Sequence, residues 1–148
     1  MRLLDRLAQE IRSAMLARDA DRLSTLRLLK SAIGYVQIER KTDELSDSDV
    51  IAVIQKEIKK RRDSVEQYDR GGRPELAARE KQEITVLESF LPQPLSPEEL
   101  EQLIRSAIQE VGATSRKEMG TVIKTVQTKA AGRADGKSIS TMVGRLLP

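Results

Sequence analysis

Three of the six residues from Pro92 to Pro97 are proline, in the string Leu91-Pro-Gln-Pro-Leu-Ser-Pro97. Proline lacks the amide that a helix interior or an inner strand must supply, and its ring holds φ near about −65°. No regular element can pass through this point, so everything before it ends by Leu91 and everything after starts afresh. The restart is encoded in the same residues. Ser96 stands in the cap position, Pro97 takes the first helical position and Glu99 is the capping-box partner, with Leu95 and Leu100 spaced for a hydrophobic staple. The 148-residue chain is expected to divide into an N-terminal unit (1–91), a proline-rich connector (92–97) and a tail (98–148).

On both sides of the break the apolar residues recur at helical spacing. Leu3/Leu4, Leu7, Ile11 and Met15 predict a first helix over 2–18. After Asp19 and Asp21, Leu26, Leu29, Ile33 and Val36 predict a second, to about Lys41. The polar stretch Thr42–Asp47 leads to a cap at Ser46 or Asp47 and a third helix with Ile51, Ile54, Ile58, Val65 and Tyr68 on its stripe, closed by Gly71-Gly72. Pro74 opens a fourth, with Leu76/Ala77, Ile84, Leu87 and Leu91 inward. In the tail, Leu100, Leu103/Ile104, Ala107 and Val111 mark a helix ended by Gly112. Ser115 and Glu118 repeat the capping-box spacing before Met119, Val122, Ile123, Val126 and Ala130, and Gly132 closes that helix. Asp135 caps a last one with Ile139, Met142/Val143 and Leu146 inward. No alternating β-branched run bounded by hairpin turns occurs. The expected fold class is all-α: a bundle of about four helices followed by a three-helix tail.

The residue inventory narrows the chemistry. The chain has no cysteine and no histidine, one phenylalanine, two tyrosines and no tryptophan. Disulfides, thiol nucleophiles and the commonest zinc ligands are excluded together. General acid–base catalysis is deprived of its usual residue. The acidic pairs Asp47/Asp49 and Glu98/Glu99 stand at helix starts, where the helix dipole accounts for them. No Ser-x-x-Lys occurs. No catalytic residue, metal ligand or cofactor is expected, and the first residues, with acids in the first turns and no long apolar run, read as those of a mature cytoplasmic protein.

Charge is unevenly placed. Residues 112–148 carry Arg116, Lys117, Lys124, Lys129, Arg133, Lys137 and Arg145 against Glu118 and Asp135, a net of +5, although the whole chain is only +3. A basic terminal module points to a polyanion. Within it, Gly132-Arg-Ala-Asp-Gly-Lys-Ser138 is one residue short of a P-loop and follows a helical pattern rather than a strand, which excludes a nucleotide P-loop. Gly132 and Gly136 could still support a turn on which Arg133 and Lys137 hold a phosphate. A second basic run, Lys59-Lys-Arg-Arg62, goes once around the third helix, so Arg61 or Arg62 must fall on its apolar stripe, where an arginine pairs with a carboxylate or snorkels, with phosphate contact or a partner surface as the alternative. With so few rings to stack bases, an RNA ligand would be read as a folded, largely double-stranded shape.

The ordered set Arg22-Leu-Ser-Thr-Leu-Arg-Leu-Leu-Lys-Ser-Ala-Ile33, Arg61-Arg-Asp-Ser64, Arg73-x-x-Leu-Ala77, Phe90-Leu-Pro92, Met119-Gly120 and Gly132-Arg-Ala-Asp-Gly-Lys137 resembles the YqeY family, from about residue 3 to the C-terminus. That family resembles the C-terminal region of GatB, a subunit of the tRNA-dependent amidotransferase. The resemblance implies a helical unit followed by a three-helix tail, and a tail that recognises tRNA, as a similar module does in some glutaminyl-tRNA synthetases. The matching positions are Met119-Gly120 and Gly132 to Lys137. A non-catalytic tRNA-binding accessory protein is the expectation, free of any cofactor, with tRNA or a protein of the tRNA-charging machinery as partner and no membrane. A protein–protein adaptor is the alternative. An amidotransferase-like carbon–nitrogen ligase would be a label inherited from the family, because the amidotransferase's kinase-like and amidase sites lie outside the shared region.

Overall fold

The computed structural model describes residues 1–148. It is all-helical: α1 (Leu3–Leu16), α2 (Ala20–Arg40), α3 (Asp47–Arg70), α4 (Pro74–Glu88), α5 (Pro97–Val111), α6 (Met119–Ala130) and α7 (Gly136–Leu146), with a single 3-10 turn at Arg116–Glu118. The chain divides into two compact units, Met1–Leu91 and Pro92–Pro148.

In the first unit α2 and α3 carry the core. Leu26, Leu29 and Ile33 meet Val50, Ile54 and Ile58, with Leu7 from α1 and Leu87 from α4 closing the cluster. The helices start where their caps stand. Asp19 accepts the Arg22 amide at 3.2 Å and Ser46 accepts the Asp49 amide at 3.1 Å, satisfying amides that have no partner within the helix. Gly72, at φ +70°, takes the left-handed turn that leads into Pro74. α1 is tied down at its ends of contact by polar bonds: Arg2 donates to the Leu45 carbonyl (3.1 Å) and Arg6 to the Ser89 carbonyl (2.6 Å), its guanidinium lying 4.8 Å from the Phe90 ring centre.

Four inward positions differ from expectation, the first being Val50, which is buried at the start of α3 where Ile51 is only partly so. Ala14 rather than Met15 faces the core, because the stripe from Leu7 runs on through Ile11 to Ala14, and Met15 is left 47 % exposed. Leu45 is buried within the polar stretch before α3. Phe90 is buried and Leu91 only partly so, since α4 ends at Glu88 and the helical period no longer applies beyond it.

Arg61 is the arginine on the α3 stripe. Its guanidinium is buried beside two carboxylates, Nη1 to Glu57 at 3.2 Å and Nε to Glu83 of α4 at 3.6 Å, and Nη1 also donates to the Glu57 carbonyl. Lys60 and Arg62 pair with Glu57 and Glu88. Three of the four residues of the basic run thus face acids of their own unit, and Lys59 is exposed. Near this group, Glu80 has its pKa raised, first by burial and then by the neighbouring charge of Glu83.

The second unit is built on α5. The capping box is complete: Ser96 accepts the Glu99 amide (3.1 Å) and the Glu99 carboxylate accepts the Ser96 amide (3.3 Å). Gly112, at φ +73°, ends the helix. Leu100, Ile104 and Ala107 then pack on Val122 and Val126 of α6 and Ile139 and Val143 of α7. The second capping box does not form as its spacing suggests. Glu118 accepts the Thr114 amide (2.6 Å), reaching past Ser115, and Ser115 accepts from Lys117 in the 3-10 turn. The intervening residues are wound too tightly for the reciprocal α-helical pair, and α6 starts at Met119.

Two outcomes follow from the Arg61 group. Arg61→Ala leaves clustered carboxylates without their counterion and should destabilise the protein by on the order of 3 kcal/mol in urea unfolding, with Arg61→Lys recovering part of the loss. Glu80→Gln should stabilise the protein at neutral pH. A carboxyl whose folded pKa is raised favours folding fully only below the unfolded value of roughly 4.3. That favour is lost as pH rises through the folded pKa. The advantage of the glutamine variant should therefore be absent below about pH 4.3, grow as pH rises from there through the folded pKa, and stay level above it.

Candidate nucleic-acid interface

The α6–α7 turn is shaped by two left-handed residues in succession, Ala131 at φ +48° and Gly132 at φ +84°. The second is a conformation that glycine adopts without steric cost. Asp135 then caps α7 by accepting the Ser138 amide at 2.6 Å. Gly136 lies in the first turn of α7, where an added Cβ would meet only the end of the Gln127 side chain at 3.8 Å. Of the two glycines expected to support the turn, Gly132 has a backbone reason to be glycine. Because α6 precedes this turn, it is not a P-loop.

Arg133 laces this turn to the proline segment. Its Nε donates to the Gln93 carbonyl and its own carbonyl accepts the Leu95 amide, both at 2.8 Å. The connector residues are accordingly part of the second unit. Between them and α7 lies a hollow of about 480 Å³. Leu95, Leu100, Ala134 and Met142 give it an apolar floor, and Arg133, Lys137 and Arg145 stand around it. Lys137 and Arg145 are eight residues apart on α7, with Thr141 between them, so helical geometry puts them on one face two turns apart. Glu99 approaches Arg133 to 3.8 Å and tempers the charge at one edge.

The seven basic residues do not form a single surface. Arg133, Lys137 and Arg145 converge on the hollow. Lys129 is ion-paired to Glu110 at the end of α5. Arg116 donates to the Gly144 carbonyl at 3.0 Å, which occupies it at the last turn of α7. Lys117 and Lys124 are exposed elsewhere, and Lys124 and Lys129 point about 140° apart around α6 at 100° per residue. Counting charge from Gly112 also omits α5. The folded unit 92–148 holds eight basic and six acidic residues, a net of +2, because α5 brings Glu98, Glu99, Glu101 and Glu110 with Arg105. What distinguishes the unit is the local convergence of three cations, which no count along the chain reveals.

Elsewhere the structure offers less to a polyanion. The first unit has a hollow of about 290 Å³ with Asp19, Asp21 and Glu83 in its walls beside Arg22 and Arg79, and one of about 530 Å³ where Arg6 and Arg22 are both ion-paired to Glu10. No group of three or more acidic side chains is arranged to hold a metal ion, and no helix is long and apolar enough to cross a membrane.

Comparison with known proteins agrees in extent with the residues quoted above. An uncharacterized protein of Schizosaccharomyces pombe is 34% identical over 59% of this chain and 70% of its own length. A Lachancea thermotolerans protein named altered inheritance of mitochondria protein 41, mitochondrial, is 27% identical over 93% of this chain and 74% of its own length. Its namesake in Vanderwaltozyma polyspora is 27% identical over 71% of this chain but only 58% of its own. The family model described as YqeY-like protein matches residues 4–147, nearly the full chain, and the chain therefore belongs to the YqeY-like protein family.

Proposed function

We propose that this protein is a non-catalytic, tRNA-binding accessory protein whose second unit holds RNA phosphates at the hollow formed by the proline segment and α7. The observation that carries the reading is the convergence of Arg133, Lys137 and Arg145 around one concavity. A phosphate group entering there meets two guanidinium groups, which can bond it bidentately, and one ammonium. The resemblance of the family to the tRNA-recognising tail of GatB supports the same unit for the same task. The lack of histidine and cysteine supports a binding rather than a catalytic role. Glu80, a carboxyl pushed upward in pKa, is explained by its partly buried position and the neighbouring charge of Glu83. A cysteine-free chain suits a reducing compartment, and the cytoplasm is the compartment proposed, although fungal relatives bear a mitochondrial name.

A protein–protein adaptor is the second reading. It is favoured by Leu28, Tyr35 and Ile38, which stand exposed on α2 of the first unit.

Titration of total tRNA at several salt concentrations tests the leading reading. Affinity should fall steeply with salt, by roughly 0.7 to 0.9 in log K per log salt for each neutralised phosphate. Lys137→Ala with Arg145→Ala should reduce the slope by about 1.5 and leave thermal unfolding unchanged, since both side chains are exposed. Arg133→Ala should lower affinity and stability together, because Arg133 also holds the connector. Salt-independent binding, or an unaltered slope in the double variant, would sink the assignment of this hollow.

A further inference from the structure

The hollow beside α7 holds more than a phosphate needs. Its cations, Arg133, Lys137 and Arg145, stand at the rim, while the floor between them is aliphatic. Anionic oxygens gain from charged donors and gain nothing from a bed of carbon. Leu95 and Met142 pack on the core of the second unit, yet each remains only half-buried where it meets the hollow. Lys137 and Arg145 are eight residues apart, about 12 Å along the helix axis, and Met142 lies between them. The concavity, about 480 Å³, is of the size that takes a small ligand, roughly 300–1,000 Å³, and has the composition of such a site, apolar walls with a few placed polar groups. A ligand that uses the whole of it carries an anion and an apolar face a short distance apart.

We infer that this hollow seats one unpaired nucleotide of the bound RNA, with its phosphate at the cations and its base laid against Leu95 and Met142. This seat presupposes the RNA binding proposed above and adds a base to the backbone contact. A base has the required form, a flat face that favours leaving water, joined through one sugar to an anion. The thioether of Met142 is suited to it, because sulfur makes favourable contacts with π-systems and the unbranched side chain adapts to a flat surface. In a continuous duplex every base is covered on both faces, so only phosphates reach a protein surface of this kind and the floor stays empty. A nucleotide turned out of a bulge or loop fills it, and turning it out costs least where the base has no partner. The scarcity of aromatic rings disfavours a long single-stranded track, but one aliphatic seat needs none.

The test uses the full chain and three RNA hairpins of identical stem: fully paired, with one bulged nucleotide, and with an abasic ribose at the bulge. Affinities are measured by fluorescence anisotropy at one fixed salt concentration. The bulged hairpin should bind about tenfold tighter than either of the others, the size expected for withdrawing one face of a base from water. Met142→Gln keeps the length of the side chain and makes the floor polar, and should bring the bulged hairpin down to the affinity of the abasic one. Met142 also touches the core, so the abasic comparison, made in the unaltered protein, decides even where that variant fails to fold. Equal binding of all three hairpins overturns the seat and leaves the RNA reading standing. A bulge preference that survives loss of the base overturns it too, since backbone flexibility then explains the preference. Failure to bind any of the three, or total tRNA, overturns both. An acidic peptide with interspersed leucines is the control for a protein occupant. If it binds more tightly than every RNA and Met142→Gln releases it, the hollow belongs to a protein partner and the nucleotide seat falls.

Discussion

The hydrogen bond from Arg133 Nε to the Gln93 carbonyl, with the return bond from the Leu95 amide to the Arg133 carbonyl, holds a segment that has little else to hold it. Pro92 and Pro94 have no amide hydrogens, so this stretch cannot join a helix or a ladder, and its carbonyls need donors from outside. Arg133 can reach it only because Ala131 and Gly132 turn the chain sharply out of α6. Once the segment is fixed, Leu95 covers Leu100 at the start of α5, and one wall of the hollow exists. The same guanidinium then contributes to the cationic rim. Structure and binding are joined at this residue, which is why its removal differs in kind from removal of Lys137 or Arg145.

How far the fold was legible follows from the range of the interactions. Features set by a few neighbouring residues were readable: the Ser96–Glu99 box, the Ser46 and Asp135 caps, the glycines that end α3 and α5, and the arginine on the α3 stripe. Those signals depend on helix geometry alone. Ala14 for Met15 is a one-residue error of phase within α1, whereas Glu118, Leu45 and Phe90 lie where that geometry changes. The Ser115–Glu118 pair sits in a 3-10 turn, where three residues complete a turn and the carboxylate overshoots its expected amide. Leu45 and Phe90 lie just outside helices, where burial is decided by the path of a turn.

The candidate site was legible as a composition and not as a place. Seven cations in 37 residues signalled a basic tail, but a helix points successive residues outward by 100° each, so nearness in sequence says little about a shared surface. Lys129 finds Glu110 because α6 returns alongside α5, and Arg116 finds a carbonyl in the last turn of α7. Those are contacts between elements, outside the reach of any window along the chain. Only Lys137 and Arg145, on one helix with a spacing of eight, could have been paired beforehand. Arg133 joins them through the turn, and the apolar floor comes from the other side of the proline segment.

α2 shows the opposite limitation, a signal that cancels itself. Apolar residues on two opposite faces leave the helix nearly without a directional bias, and a reading by periodicity detects the core stripe but not the second one. The distinction matters energetically. Leu26, Leu29 and Ile33 are removed from water within a single copy, so their contribution is complete on folding. Tyr35 and Ile38 gain almost nothing from folding, because most of their surface remains wet. Hydrophobic surface that folding leaves exposed still lowers the free energy of any assembly that covers it.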